Sequence, residues 1–314
     1  MAAIVSIVIP AYNHGRYLDE AIQSVLKQDY PNVELIVLDD GSTDDTHKVL
    51  EKYGDRFVWE TQTNMGQSAT LNKGWAMSKG EILGYLSADD VLEQCAVSAA
   101  VAVFEQHAEA SATYCDFNLI DPRSRVIRRV TTPEFNYHDM LVTVTCPPGP
   151  GAFFRRAAFE RTGPWDVSLR QMPDYDFWLR LGLQGNFVRI PEVLAGFRVH
   201  TNSQTYARTT PERAAEPVLI VQGILDRPGL PAELRAVGSE ALAYANLVSA
   251  QLHMRAGRLG AAAACTRKAA TLSPRVLMSR KAVRLVFNAL FNRLGHQLLR
   301  WIRSLAGRAK QSSF

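Results

Sequence analysis

Two short apolar runs in this chain end in paired aspartates, and that repetition limits the folds open to it. Val33-Glu34-Leu35-Ile36-Val37-Leu38 runs into Asp39-Asp40, and Ile82-Leu83-Gly84-Tyr85-Leu86 runs into Ser87-Ala88-Asp89-Asp90. An earlier run of the same kind, Val5-Ser6-Ile7-Val8-Ile9-Pro10, stops at a proline. Short, β-branched apolar runs bounded by turn residues read as buried strands. Between them lie segments of helical period, such as residues 16–27 with Leu18, Ile22, Val25 and Leu26 on one face. Strands alternating with helices predict an α/β fold with parallel strands and right-handed crossovers. Both acid pairs then reach the same edge of one sheet.

Two acids at the tip of a buried strand are costly unless something pairs with them. In α/β proteins the strand tips are also where ligands bind. With no basic residue beside Asp89-Asp90, the pair suits a divalent cation that holds a phosphate-bearing ligand. The plainer alternative is that one of these acids caps a helix starting near Val91.

With 314 residues the chain suits one large domain and a smaller one, or two domains. Composition changes after Thr210, where alanine and leucine dominate. Residues 241–270 resemble one tetratricopeptide-like helix pair with its turn at 256–260, and one such pair must pack on a neighbour. From Pro274 onward there are nine Lys/Arg and no Asp/Glu, so a net charge of +4 leaves about −5 for the rest. In that tail Val283, Phe287, Leu290, Leu294, Leu298, Trp301 and Leu305 share one helical face, with arginines around it. A basic amphipathic helix of this kind suits an anionic membrane surface, or packs on its own domain or a second subunit. The expected domains are therefore 1–210, 211–273 and 274–314. Cys95, Cys115, Cys146 and Cys265 are scattered without ligand spacing and read as reduced thiols. Neither a signal peptide nor a membrane-spanning run is recognised, so the expected location is cytoplasmic, with peripheral attachment to the inner face of the membrane through the tail.

Several segments agree with one family. Ser6-Ile7-Val8-Ile9-Pro10-Ala11-Tyr12-Asn13, Leu38-Asp39-Asp40-Gly41-Ser42-Thr43-Asp44 and Asn64-Met65-Gly66 resemble the nucleotide-binding half of family 2 glycosyltransferases. Leu86-Ser87-Ala88-Asp89-Asp90 is similar to that family's metal-binding motif, Pro173-Asp174-Tyr175-Asp176-Phe177-Trp178-Leu179-Arg180 to its catalytic helix, and Arg198-Val199-His200 to the segment that closes its site. The resemblance covers about residues 4–205 and implies the GT-A fold: a Rossmann-like nucleotide-binding half with a mixed, mostly parallel sheet, here followed by a C-terminal all-α region.

The resemblance also implies roles. A sugar passes from a nucleotide-diphosphate sugar, most simply a UDP-sugar, to a hydroxyl of a glycan or glycolipid acceptor, with inversion. Asp174 is the implied general base. Asp90 is the implied ligand of Mn²⁺ or Mg²⁺, with His200 as a further metal or phosphate ligand. Pro10, Ala11, Tyr12 and Asn13 line the base and ribose, with core packing as the alternative for Tyr12. Asp40 accepts from the nucleobase, with Asp39 in either role beside it. Asp89 touches the ribose or orients the site, and Gly66 lets backbone approach the ligand or simply makes a turn. Two positions depart from the family pattern: Ser87 stands where many relatives have Asp, and Pro173 where many have Glu. They support a rival reading as a non-catalytic nucleotide-sugar-binding scaffold. A polyprenyl-phosphate sugar synthase is the rival within the enzyme class. Residues 10–15 lack the glycine fingerprint of a dinucleotide-dependent oxidoreductase. No nucleic-acid partner is expected, and the helical region offers a surface for a homodimer.

Overall fold

The computed structural model describes residues 2–200, 209–283 and 285. Its first ninety residues lay down four parallel strands, β1 (Val5–Ala11), β2 (Val33–Asp39), β3 (Val58–Thr61) and β4 (Ile82–Tyr85), standing in the order β3-β2-β1-β4. Helices α1 (Gly15–Leu26), α2 (Thr46–Glu51) and α3 (Gln67–Met77) connect them. β1 has no polar face because both of its faces are covered. Val5, Ile7 and Ile9 share a core with Leu18, Ile22 and Val25 of α1. On the opposite face Val8 meets α3 so closely that a Cβ on Gly74 would lie 2.4 Å from its Cγ1.

The sheet continues with reversed strands. After β4 come β5 (Val91–Leu92), α4 (Ala96–Gln106), β6 (Ala110–Ile120), β7 (Val126–Val130), α5 (Tyr137–Thr143), β8 (Phe153–Arg155), α6 (Arg156–Thr162), α7 (Pro173–Gly182) and β9 (Asn186–Arg198). β8 inserts antiparallel between β4 and β6, β9 runs parallel to β6, and β5 closes the far edge against β9. The sheet is mixed and mostly parallel, as expected. Its second half was less legible. Residues 187–191 and 194–200 read as two edge strands; they form one thirteen-residue strand, Asn186–Arg198, paired along its length with β6 and on its other side with β5 only at Ala195 and Gly196. Proline normally ends a central strand. Here the register with β6 jumps from Cys115↔Ile190 to Asp116↔Val193, and the bulge absorbs Pro191.

An aromatic cluster fixes α7 under the sheet. The ring of Trp75 on α3 lies 5.4 Å from Phe154 of β8, 5.4 Å from Phe159 of α6 and 6.1 Å from Phe177 of α7. The Trp75 indole N–H donates to the carbonyl of Gly84 on β4, 3.1 Å away. Pro173 occupies the first turn of α7, where its missing N–H costs nothing.

Contacts divide the chain into two compact units, residues 1–140 with 145–206, and residues 141–144 with 207–314. In the second, α8 (Pro211–Leu225), α9 (Ala232–Ala236), α10 (Gly238–Arg255), α11 (Leu259–Leu272) and α12 (Pro274–Leu277) follow one another. The helix pair expected over 241–270 is α10 and α11, and α10 packs against α8 as well. That double contact buries Ala241, Ala245, Leu247 and Leu252 together. Most of the basic amphipathic face expected in the tail lies outside the described residues.

Candidate active site at the strand tips

The parallel strands β1, β2 and β4 deliver three loops to one edge. The first two loops are tied together. Asn13, at φ 55°, donates its N–H to the Ser42 hydroxyl (2.8 Å), and its side-chain oxygen accepts from the Thr43 N–H (2.8 Å). A left-handed φ suits Asn better than most residues. The Ala11 carbonyl accepts from the Asp40 N–H at 2.8 Å. Ala11 is buried and Pro10 half-buried beneath this edge. Tyr12 is 47% exposed, so it is not core packing.

Asp39 and Asp40 are both buried. The Asp39 carboxylate accepts from the Ser42 N–H and the Thr61 hydroxyl. Asp40 accepts from the N–H groups of Met65 and Gly66, each at 2.8 Å, and from the Gln62 side-chain amide at 3.0 Å. Asp40 therefore clasps the turn that precedes α3. Gly66, the residue before that helix, has φ 86°, and a Cβ there would lie 1.7 Å from Nη1 of Arg170. Its glycine is required twice over, by backbone conformation and by the guanidinium above it.

Asp89-Asp90 is held differently. Asp90 is buried, and among the described residues its carboxylate accepts from the Arg198 N–H at 2.8 Å. Burial, with Asp89 beside it, pushes the Asp90 carboxyl well above the usual carboxylate range. Asp89 instead meets two imidazoles. His200 Nε2 lies 2.8 Å from its Oδ2 and His14 Nε2 lies 3.7 Å from the same atom. Ligand atoms of His14, Asp89 and His200 all fall within 4.8 Å of one another. The sequence reading put the cation on Asp90 with His200; the ligand atoms that converge here are those of His14, Asp89 and His200, while Oδ1 of the adjacent Asp90 accepts from the backbone of β9.

Arg198 supplies that backbone N–H. Its buried guanidinium donates to the carbonyls of Asp89 and Asp121, to the Ser124 hydroxyl and to Glu20. It also stacks 4.9 Å over the Tyr17 ring. His200, two residues on, rests 5.1 Å from that same ring.

Asp174 lies in the first turn of α7. Burial pushes the Tyr85 phenol well above its ordinary value, and the nearby charges of Asp174, Cys146 and Asp90 add to it. Burial and Asp174 also push up the Cys146 thiol. Both neighbours of Asp174 thus stay neutral at neutral pH. Tyr85 thus lies within electrostatic reach of Asp174 and of Asp90. Asp176, the other acid of this turn, is bound by Arg180 at 2.8 Å.

Sequence reasoning missed His14, Arg170, Tyr85 and Cys146. His14 carried a usable signal, since it sits in the loop at the tip of a predicted strand. Arg170 and Cys146 lie in irregular segments, and nothing local marks them.

The sheet order, with reversed strands appended to a parallel β3-β2-β1-β4 block, and the polar residues gathered at its strand tips define a GT-A fold. The chain belongs to glycosyl transferase family 2, whose family model matches residues 6–163, and it is a glycosyltransferase. It is 31% identical over 210 residues to an uncharacterized glycosyltransferase of Rickettsia prowazekii, a match covering 64% of this chain and 66% of that one. S. aureus TarS 1-349, solved in complex with UDP-GlcNAc, has TM-score 0.61 and 19% identity, covering 86% of this chain and 90% of that chain. The mannosyltransferase PcManGT from Pyrobaculum calidifontis, solved with GDP-Man and Mn²⁺, has TM-score 0.58 and 17% identity, covering 94% and 88%. At these identities the two structures establish the fold.

Proposed function

We propose that this protein is an inverting glycosyltransferase that moves a sugar from a nucleotide-diphosphate sugar to a hydroxyl of a glycan or glycolipid. The observation that carries the reading is the convergence of His14, Asp89 and His200 at the strand tips. The GT-A structures of TarS with UDP-GlcNAc and PcManGT with GDP-Man and Mn²⁺ support a donor of this class. A UDP-sugar is the donor we favour.

The residues divide the work as follows. Pro10, Ala11, Tyr12 and Asn13, with Asp39, Asp40 and Gly66 beneath, form the floor for base and ribose. Tyr12 has the exposure to stack on a base. Asp40 still has lone-pair capacity on Oδ2 for a nucleobase N–H. Asp174 takes the proton of the acceptor hydroxyl as its oxygen bonds to the anomeric carbon. The bond from that carbon to the diphosphate oxygen breaks, the nucleotide diphosphate leaves, and the configuration inverts. Asp89 and His200 would hold a divalent cation, Mn²⁺ or Mg²⁺, which supplies a Lewis acid for the leaving diphosphate. A carboxylate and a buried imidazole whose ligand atoms already lie 2.8 Å apart fit such an ion. The tail carries the proposed membrane contact. No helix among the described residues is long and apolar enough to cross a membrane.

Calorimetry with UDP-, GDP- and dTDP-sugars, with and without Mn²⁺, tests the reading. Metal-dependent binding of one nucleotide class, weakened in Asp89→Asn, is expected. Binding of none would move the scaffold reading to the front. Full turnover in Asp174→Asn would favour a phosphate acceptor, which needs little base catalysis.

A further inference from the structure

We infer that His14 is a third protein ligand of the cation site, and that this second imidazole makes the site select a first-row transition-metal dication such as Mn²⁺ over Mg²⁺. The inference rests on the reading of Asp89 and His200 as metal ligands.

The three residues come from distant parts of the chain: the loop after β1, the turn after β4 and the segment after β9. Both imidazoles bring Nε2 toward one carboxylate oxygen, at 2.8 and 3.7 Å. A hydrogen-bonded Asp–His pair accounts for the shorter distance. The longer one exceeds a hydrogen bond. Ligand atoms about 2.1 Å from a shared ion stand about 3 Å apart at right angles and about 4.2 Å apart when opposite; 3.7 Å falls inside that interval and 2.8 Å just below it. The two rings cross at 70° with centroids 5.9 Å apart, so their edges converge and their faces do not stack.

His14 is also held in place from behind. The Gly15 N–H donates to Asp44 Oδ2 at 3.0 Å, while Oδ1 of Asp44 accepts from the Thr46 N–H and hydroxyl. Gly15 packs so tightly on Thr46 that a Cβ would lie 2.6 Å from its nitrogen. His14 precedes α1 at the cap position but makes no side-chain cap hydrogen bond. The fold thus fixes the backbone of His14 and leaves its ring turned toward Asp89.

The donor set decides the metal. Carboxylate and water suit Mg²⁺, which sheds its waters reluctantly, whereas imidazole nitrogen favours transition metals. One imidazole beside one carboxylate leaves Mg²⁺ competitive. Two imidazoles tilt the site away from it, and three protein ligands leave the remaining positions of a six-coordinate ion to substrate oxygens and water.

The test is pulsed EPR of Mn²⁺ bound to the full chain, with and without UDP or GDP, together with displacement of Mn²⁺ by Mg²⁺. Wild type is expected to show two imidazole nitrogen couplings and to need about a hundredfold or greater excess of Mg²⁺ for displacement. His14→Gln and His14→Asn should keep one coupling, bind Mn²⁺ about tenfold or more weakly, and let Mg²⁺ compete at a smaller excess. His14 is partly exposed, so both variants should fold, and circular dichroism checks this. One nitrogen coupling in wild type, or unchanged couplings in both His14 variants, would overturn the inference while leaving the Asp89 site standing. Unchanged Mn²⁺ binding in Asp89→Asn, or no Mn²⁺ binding by wild type with either nucleotide, would instead remove the site on which the inference rests.

Discussion

At the tip of β2, Asp40 is met by two backbone N–H groups and a side-chain amide; beyond β4, Asp89 is met by two imidazoles. The dipeptides are identical and reach the same sheet edge, so the difference lies in the donors that fold around them. Fixed backbone N–H groups bonded to a carboxylate turn it into a clasp. Imidazole nitrogens carry lone pairs of their own once deprotonated, and with a carboxylate they make a nest for a cation. The first pair ties two loops together beneath the proposed donor site and the second gathers the donors of the proposed cation site, which neither sequence announces.

The largest expected effect separates chemistry from cation binding. Asp174→Asn should lower turnover by about 10²–10⁴-fold, while the melting temperature and Mn²⁺ affinity stay near wild type. If Mn²⁺ affinity fell with turnover, the second pair and the base would be one unit and the comparison would need redrawing. Next, Asp40→Ala should cost about 2–4 kcal/mol in urea unfolding, because two buried N–H groups lose their acceptor. Asp89→Ala should cost less than about 1 kcal/mol in the same assay. The reverse ranking would break the comparison outright. Between these two lies Gly66→Ala, expected to destabilise by about 1–3 kcal/mol through its positive φ and the Arg170 guanidinium above it.

The smallest effect is a pH control on a third acid. Burial raises the Asp116 carboxyl, but the Thr132 N–H and the guanidinium groups of Arg189 and Arg129 more than reverse this and bring it down to about 2. A carboxyl whose folded value is depressed stabilises the fold above its unfolded value, near 4, and the contribution is lost as pH falls through about 2. Thermal melts between pH 5 and 2 should show a falling melting temperature in wild type and a flatter profile in Asp116→Asn.

The first half of the sheet was legible because its information is local. In β1, β2 and β4 the apolar runs, the acids at their ends and the helices between them lie within a few residues of each other. The second half was not, because its order depends on pairings between distant segments. β8 enters between β4 and β6, and Pro191 sits where β9 has β6 alone beside it and the register with β6 slips. The site shows the same division. Asp174 and His200 stand on recognisable local patterns. The distinction between Asp89 and Asp90 depends on Arg198, more than a hundred residues later, whose backbone N–H claims one of the two. The distinction between Asp40 and Asp89 depends on Met65 and Gly66 for one and on His14 for the other.

The bulge at Pro191 gives β9 an uneven tolerance to changes in length. In a strand, moving one residue along exchanges inside for outside. Arg198 must point inward to hold the turn after β4, and His200 follows it by two. Loss of one residue ahead of the bulge can be taken up there, since the register is already slack between Ile190 and Val193. A second slip follows between Val193 and Ala195, and from Ala195 to Arg198 the register is regular. Loss of one residue in that last stretch has no such refuge, and it would turn the guanidinium to solvent and carry the imidazole with it. Natural variation in the length of this protein should therefore accumulate before Ala195 and be rare between Ala195 and Arg198.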